Sequence, residues 1–206
     1  IEPYTAGQCG PFILSVDPCA TCDIAYQPGD VPECPEQSDS TTAWNDCDGG
    51  CNNDDFGGVN QFGNVANGQT IFGLAYTYTY QGNSLRDTDW YLINMACSAA
   101  VSWTVTAEFP LRTFIFDVTN CNNYLALAEG GSFNTCVPVT INTPVLAPGI
   151  YAAWAGPSVF SGVPVSEYRA TLSLTPCPQV TVSGTVTHCN GLPAVGATVE
   201  ILNAPV

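Results

Sequence analysis

Lysine is missing from this sequence altogether, and the only strongly basic side chains are those of Arg86, Arg112 and Arg169. Against these stand 18 aspartates and glutamates, so the formal net charge is −15 at pH 7. A surface of this sign repels the phosphate groups of nucleic acids and of anionic membranes. We therefore exclude nucleic acid as a partner.

Long apolar runs, helical patterns and catalytic motifs are also missing. No apolar run approaches the ~18 residues that span a bilayer, so we expect no membrane insertion. No window of helix length carries an apolar stripe at helical spacing with capping residues. His188 is the single histidine and no Gly-x-Ser-x-Gly occurs, which leaves no clear base or nucleophile. We therefore predict a β protein that is not an enzyme.

Cysteine, in contrast, is abundant and spread over the whole chain. This distribution favours disulfide bonds in an oxidising compartment, and with a start at Ile1 that has no basic and apolar leader it indicates a mature extracellular or cell-surface protein. The odd count leaves one cysteine unpaired or paired between chains. Cys19-Ala-Thr-Cys22 lacks the strand-to-helix setting of a redox motif, so we predict structural disulfides with different partners. The eleven cysteines are Cys9, Cys19, Cys22, Cys34, Cys47, Cys51, Cys97, Cys121, Cys136, Cys177 and Cys189.

Short alternating segments begin at about residue 69. They are rich in Thr, Val, Tyr, Phe and Trp and are bounded by Gly, Pro, Asn or Asp, as strands are. Val101, Trp103 and Val105 share one side of such a segment, which is suited to a core. Recurring strands with no helices between them predict an all-β fold, an antiparallel β-sandwich of the jelly-roll or Ig-like class. The predicted strands are 70–80, 88–95, 100–108, 112–119, 123–128, 149–155 and 166–175.

Acidic residues concentrate towards the N-terminus, where residues 45–55 read NDCDGGCNNDD. The oxygen ligands of this stretch alternate along the chain, and Gly49-Gly50 lets the backbone curl so that they converge, as a calcium site requires. The candidate calcium ligands are Asp46, Asp48, Asn52 and Asp54. The spacing is not that of an EF-hand, and the alternative is a solvent-exposed acidic turn whose shape is set by Cys47 and Cys51. Zinc is disfavoured because it needs reduced thiolates, which the oxidising compartment opposes.

A second pair of carboxylates occurs in residues 86–91, which read RDTDWY. Residues two apart on a strand point to the same face, so Asp87 and Asp89 can share a calcium ion or an arginine. Two carboxylates are also what a glycosidase needs. We favour a structural interpretation, in which Asp87 lies in a turn and Asp89 is a partner for Arg86.

The order of these motifs resembles a known family. NDCDGGCN, then a strand, then RDTDWYLI at residues 86–93, then alternating strands up to Cys177 is similar to the bacterial pre-peptidase C-terminal type of β-sandwich. The resemblance covers about residues 44–177 and implies a non-catalytic appendage of a secreted bacterial enzyme or surface protein. Residues 1–43, rich in Pro, Cys, Asp and Ser, are then a disulfide-tied irregular segment.

The pattern changes again after Pro178, to QVTVSGTVTHCNGLPAVGATVEIL. Residues 179–206 resemble the opening two strands of carboxypeptidase regulatory-like or collagen-adhesin B-type sandwiches, so we predict a β-hairpin over 178–206. A lone hairpin is marginal in water and leaves its strand edges unpaired. We expect it to be covered by the sheet of its own chain, by a neighbouring copy or by further sequence.

Two functions compete on this basis. The first is a secreted structural protein that self-assembles with copies of itself into an extracellular filament or cell-surface layer by β-strand addition. The alternative is an accessory binding module of a secreted hydrolase or adhesin, with aromatic residues available for a polysaccharide. The four tryptophans are Trp44, Trp90, Trp103 and Trp154, and three of them lie in predicted strands, where core packing is the commoner role.

Overall fold

The structure, a computed structural model, describes residues 22–35 and 46–175 together with Thr187, and of residues 54–56 it describes the backbone alone. Apart from Thr187, the predicted hairpin 178–206 lies outside the described residues, as does most of the predicted segment 1–43. The division of the chain into three segments therefore stays a prediction.

The described residues form a β-sandwich, and the predicted all-β fold class is confirmed. The strands are β1 (Val31–Pro32), β2 (Gly63–Asn64), β3 (Thr70–Ala75), β4 (Thr77–Tyr80), β5 (Asn83–Arg86), β6 (Asp89–Met95), β7 (Ala99–Ala107), β8 (Leu111–Asp117), β9 (Leu125–Ser132), β10 (Val139–Leu146), β11 (Gly149–Pro157) and β12 (Ser166–Leu174). Two short 3-10 helices cover Cys51–Phe56 and Cys121–Asn123.

Two five-stranded sheets pack face to face. Sheet I has the strand order β1-β3-β12-β7-β10 and sheet II the order β2-β6-β11-β8-β9, while β4 and β5 form a separate hairpin. The pairings within the sheets are antiparallel, except that β1 runs parallel to β3 and β2 runs parallel to β6. One side of the sandwich therefore ends in the short strands β1 and β2, which we call the β1/β2 edge, and the other ends in β9 and β10, the β9/β10 edge.

The core lies between the sheets and follows the predicted alternation. Val101, Trp103 and Val105 of β7 are at most 1% exposed. Tyr168 and Leu172 of the neighbouring strand β12 are fully buried on the same inward side. Each large side chain buried in this way contributes about 1.5–3 kcal/mol of hydrophobic free energy, which makes this layer the main source of stability.

The strand predictions miss the short strands β1, β2 and β5, and two larger differences remain. The predicted strand 70–80 divides at Tyr76, which separates β3 in sheet I from β4 in the hairpin. Strand β10 was not predicted at all. Pro144 weakens its pattern, and β10 accommodates this proline because it is an edge strand with a register shift between Asn142 and Val145.

The seven cysteines among the described residues are all disulfide-bonded, which confirms the prediction of disulfides. The pairs are Cys22–Cys136, Cys34–Cys47 and Cys51–Cys121, and Cys97 is bonded as well. Within the described ranges, no helix is long and apolar enough to cross a membrane.

A second apolar layer covers the outer face of sheet II. The Cys51–Cys121 disulfide joins the two 3-10 helices over this face, where Trp90 stacks on Phe116 with ring centroids 4.9 Å apart. Tyr124 closes the layer with an edge-to-face contact to Trp90. Trp90 of β6 therefore points away from the main core, and its neighbours Asp89 and Tyr91 point into it.

The segment 22–35 crosses the outer face of sheet I. It is tied at one end to the β9–β10 loop by Cys22–Cys136. In the middle Asp30 accepts two hydrogen bonds from Arg169 of β12, at 2.7 and 2.9 Å. At the other end β1 pairs with β3, and this brings Glu33 to the β1/β2 edge.

Candidate metal centre

The acidic turn 46–50 is held against the β1/β2 edge from several sides. Cys47 is bonded to Cys34, so the two cysteines of the sequence motif each connect to a remote segment instead of to one another. The amide of Trp90 donates to the carbonyl of Asp48 at 2.7 Å. Gly50 has a φ of +57°, and a Cβ there would lie 2.1 Å from the Trp90 ring, so only glycine fits this contact.

Three carboxylates from distant parts of the chain meet behind this turn. Oxygen atoms of Glu33, Asp48 and Asp89 all lie within 4.8 Å of one another. Asp48 and Asp89 are fully buried, and Glu33 is half-buried. We call these three residues the carboxylate cluster.

Backbone contacts fix Glu33 in this position. Its amide donates to the carbonyl of Phe72 at 3.0 Å, and its Oε1 accepts from the amide of Leu74 at 2.5 Å. Both contacts are to β3, beside β1. Glu33 therefore reaches the cluster from sheet I, while Asp89 reaches it from the first residue of β6 in sheet II.

Two buried phenols separate the carboxylate cluster from the apolar core. The hydroxyls of Tyr91 and Tyr168 lie 2.5 Å apart and donate to Oε2 of Glu33 at 3.4 and 3.3 Å. Burial, followed by the negative charge of Asp89, raises the pKa of both phenols well above their usual value, so both remain protonated donors. The interior thus changes from polar to apolar within one residue layer.

The carboxylate cluster resists ionisation. Burial, reinforced by the charges of Asp48 and Asp87, raises the pKa of Glu33 to about 9. Burial also raises the pKa of Asp48 to about 6, against a smaller lowering by hydrogen bonding. In this arrangement Glu33 holds a proton at neutral pH unless a cation replaces it.

The chain's own cations are engaged elsewhere. Arg169 pairs with Asp30 and Arg112 with Glu129. Arg86 donates to the carbonyl of Pro157 and lies over the ring of Trp154. Since the sequence has no lysine, these three arginines are its only strongly basic side chains.

The surroundings of the Asp48 carboxylate show whether a metal ion fits in the carboxylate cluster. Both of its carboxylate oxygens are buried, and neither has a hydrogen bond of acceptable geometry within the described residues, although the nearby Tyr91 hydroxyl lowers its pKa. An uncompensated buried carboxylate is costly, whereas a hard cation with oxygen ligands offsets that cost. Asp46 and Asp87 are also buried, and burial of Tyr78, followed by the charges of Asp87 and Asp46, raises the pKa of that phenol. Carboxylate oxygens of this kind are the donors that a hard cation accepts.

The sequence motif predicted only part of this arrangement. Of the four predicted ligands, Asp46 and Asp48 lie buried at the turn, so their interpretation as solvent-exposed acids is wrong. Asn52 instead donates its side-chain amide to the hydroxyl of Thr88 at 2.9 Å. The side chain of Asp54 lies outside the described residues.

Glu33 was not among the predicted ligands, and Asp89 was considered only together with Asp87, as a residue that can share a calcium ion or an arginine. Glu33 carries no local signal, because it joins Asp48 only through the pairing of β1 with β3. Asp89 had a signal in the Asp-x-Asp spacing before an apolar strand, but it was interpreted as the partner of Arg86.

Two other groups of potential metal ligands among the described residues do not form a comparable site. Cys34 and Cys47 lie beside Asp48, but their sulfurs are joined in a disulfide and offer no thiolate. On the opposite side, Asp23, Glu108 and Glu167 approach one another at the surface. Both oxygens of Glu108 already accept backbone amide hydrogen bonds there, so this group serves to hold the chain.

An open cleft leads from solvent to the carboxylate cluster. It runs between β1 and β2 and is lined by Val31, Phe62, Gly63, Tyr91 and Glu33. A metal site needs such an entry path. No serine, histidine or free thiol lines it within the described residues.

Comparisons with known proteins find a likeness of structure but none of sequence. No protein-family model and no curated protein matches the chain. Among solved structures, it is similar to the pre-peptidase C-terminal domain of a collagenase from Bacillus anthracis, with 16% sequence identity and a TM-score of 0.37 over 55% of this chain and 95% of that domain.

Proposed function

We propose that this chain is a non-enzymatic extracellular β-sandwich module whose fold is stabilised by a calcium ion bound to Glu33, Asp48 and Asp89. The observation that supports this most is the fully buried carboxylate of Asp48, placed within 4.8 Å of two further carboxylates. Asp46 and Asp87 belong to the same proposal as additional oxygen donors nearby.

Calcium suits this donor set better than other common ions. The ligands are carboxylates, which calcium accepts in flexible geometry, whereas magnesium demands a near-octahedral shell and retains waters. Zinc prefers imidazole and thiolate, and neither is present in the cluster.

The role of the ion is structural. Its ligands come from the segment after β1, from the acidic turn and from β6, so an ion connects sheet I to sheet II at the β1/β2 edge. Binding to the folded state alone stabilises it by about 2.7 kcal/mol when calcium is a hundredfold above its dissociation constant.

An accessory role in a larger secreted protein belongs to this proposal. The disulfides fit an extracellular location, and the role follows the family resemblance of the sequence. Trp90, Trp103 and Trp154 are at most 2% exposed, so a polysaccharide would have to bind through other residues. Glycan binding is therefore the weaker form of the accessory proposal.

Thermal unfolding with and without calcium tests the proposal. We expect a chelator to lower the melting temperature of the wild-type protein by about 5 °C or more, since about 1 kcal/mol corresponds to 2–4 °C at this size. Asp48→Asn should lose this response. Glu129→Gln, which alters an exposed carboxylate on β9, is the matched control and should respond as the wild type does. A melting temperature indifferent to calcium would contradict the proposal.

Self-assembly is a second candidate, favoured by β9, an eight-residue strand at the end of sheet II that pairs only with β8 among the described residues. Extended strands with open edges are the usual acceptors in β-strand addition. Negative-stain electron microscopy of the purified protein at high concentration tests it: ordered polymers support a structural subunit, and isolated particles count against one.

A further inference from the structure

The Cys34–Cys47 disulfide joins the two chain segments that bring Glu33 and Asp48 to the carboxylate cluster. Glu33 directly precedes Cys34, and Asp48 directly follows Cys47. Both sulfur atoms lie within 4.8 Å of a carboxylate oxygen of Asp48. The disulfide therefore connects two of the proposed calcium ligands through a short covalent path, although its cysteines are 13 residues apart in sequence.

The two ligands are otherwise held by different sheets. Glu33 is fixed to β3 of sheet I by its backbone amide and by its Oε1. The turn that carries Asp48 is fixed to sheet II, because the Asp48 carbonyl accepts a hydrogen bond from the amide of Trp90 in β6. Across the gap, Glu33 accepts from the hydroxyl of Tyr91 at 3.4 Å, which is long for a hydrogen bond. The disulfide is thus the covalent connection that limits how far the two sides of the cluster can separate.

A reductant can reach this disulfide. Cys34 and Cys47 are half-buried, and both line the open cleft that leads to the carboxylate cluster. Cys51 of the disulfide Cys51–Cys121, in contrast, is only 3% exposed within the apolar layer on sheet II. Access is one of the factors that decide which disulfide undergoes thiol–disulfide exchange. Of these two disulfides, Cys34–Cys47 is the one open to exchange.

We propose that the Cys34–Cys47 disulfide is a redox control of the calcium site, and that its reduction lowers the affinity for calcium. The inference rests on the calcium site of the proposed function and specifies its regulation. In the exchange, the two thiol groups of a dithiol reductant give up two electrons and two protons. The S–S bond breaks, each cysteine sulfur takes up one proton, and the reductant leaves as its own disulfide.

Reduction acts on calcium affinity through the positions of the ligands. With the disulfide closed, Glu33 and Asp48 are held close together before an ion arrives, and such preorganisation favours binding. With the disulfide open, Glu33 depends for its position on the two-residue strand β1 and its pairing with β3. An ion must then order the ligands itself, and this cost weakens its binding.

The coupling between reduction and calcium has to work in both directions. If reduction lowers the calcium affinity by a given factor, thermodynamic linkage requires that bound calcium oppose reduction of this disulfide by the same factor. Couplings between two sites usually amount to ~5–150-fold. Calcium should therefore make the Cys34–Cys47 disulfide harder to reduce.

A matched pair of disulfide variants tests the effect on calcium affinity. The test variant combines Cys34→Ala with Cys47→Ala, and the control variant combines Cys22→Ala with Cys136→Ala. The control removes the disulfide that ties segment 22–35 to the β9–β10 loop, away from the carboxylate cluster. In titration calorimetry without reductant, we expect the calcium Kd to rise about tenfold in the test variant and to stay within about twofold in the control.

Loss of stability alone predicts a different order for the two variants. Cys22 and Cys136 are 114 residues apart, so removal of their disulfide should lower the melting temperature more than removal of Cys34–Cys47. A general loosening of the fold would then weaken calcium binding at least as much in the control variant. Equal weakening in both variants, or none in either, would overturn the inference while the calcium site stands. A wild type that binds no calcium would overturn the proposed site and the inference with it.

The wild-type protein tests the opposite direction without any substitution. It is equilibrated at neutral pH in mixtures of reduced and oxidised dithiothreitol, with calcium or with a chelator. Alkylation of the free thiols followed by mass spectrometry then gives the reduced fraction of each disulfide. We expect calcium to raise the ratio of reduced to oxidised dithiothreitol that half-reduces Cys34–Cys47 about tenfold, and to leave that ratio for Cys22–Cys136 within about twofold. Equal protection of both disulfides, or no protection of Cys34–Cys47, would overturn the inference.

Discussion

The two edges of the sandwich differ in how their sheets end. At the β1/β2 edge the sheets end in strands of two residues, and disulfides, an acidic turn and the carboxylate cluster fill the gap between them. At the β9/β10 edge the strands are eight residues long, and among the described residues β9 pairs only with β8. One edge is closed by polar groups and a disulfide, and the other ends in long strands.

This difference assigns separate roles to the two edges. The β1/β2 edge concentrates buried negative charge, which only protons or a cation can neutralise. The β9/β10 edge has no such requirement and exposes apolar side chains such as Leu125 and Val145. We infer that the first edge controls stability and the second controls association, and the predictions below perturb each in turn.

The largest effect is expected from the disulfides. Replacing Cys51 and Cys121 by alanine removes a cross-link between residues 70 apart in sequence. From the loop-closure entropy, we expect the free energy of unfolding to fall by about 4 kcal/mol. Replacing Cys34 and Cys47, which are 13 apart, should cost about 3 kcal/mol. Denaturant unfolding of the two double variants measures both, and a greater loss from Cys34 and Cys47 would contradict the ranking.

The next effect is the pH dependence of the metal-free protein. The folded pKa values of Glu33 and Asp48, about 9 and about 6, lie above their ordinary values of 4.5 and 3.8. The folded state thus binds more protons than the unfolded state at neutral pH, and this contribution to stability is full below those ordinary values and lost as pH rises through 6 to 9. Melting temperatures recorded in chelator should therefore fall across this range.

Glu33→Gln isolates that effect. The amide needs no proton, so the variant should show a flatter melting curve between pH 6 and pH 9 than the wild type in chelator. Glu129→Gln, with its carboxylate 60% exposed, should keep the wild-type slope. Equal slopes in all three proteins would mean that Glu33 is not the titrating group.

A smaller effect separates the two ion pairs of the described residues. Asp30→Asn weakens charge-assisted hydrogen bonds of a buried carboxylate to Arg169 and should cost about 2 kcal/mol at neutral pH. Glu129→Gln breaks an exposed pair with Arg112 and should change stability by less than about 1 kcal/mol. Urea unfolding at pH 7 compares the two variants. Equal losses of unfolding free energy would mean that the buried and the exposed ion pair contribute equally to stability.

The sequence was most informative where burial is periodic. Val101, Trp103 and Val105 alternate with polar residues, and the pleat of β7 turns that alternation directly into a core layer. It failed for β10, because Pro144 argues against a strand unless the strand is already known to lie at an edge. Edge position is a property of the assembled sheet and leaves no mark in a short stretch of sequence.

The candidate site shows the same limit. Asp46 and Asp48 stand in one motif and were predicted as calcium ligands from their spacing. Glu33 and Asp89 reach Asp48 only because β1 joins sheet I and β6 joins sheet II, so their proximity depends on long-range pairing. Local spacing can identify donors on one turn, but not donors brought together by two sheets.

Calcium binding and its linked proton release test the account most directly. Titration calorimetry of the metal-free wild-type protein at pH 7, in two buffers of different ionisation enthalpy, measures both together. We predict a single saturable site that releases about one proton on binding, because Glu33 is protonated until the ion replaces its proton. Asp48→Asn should bind far more weakly. Binding without proton release, or binding that Asp48→Asn leaves unchanged, would contradict the calcium site at the β1/β2 edge.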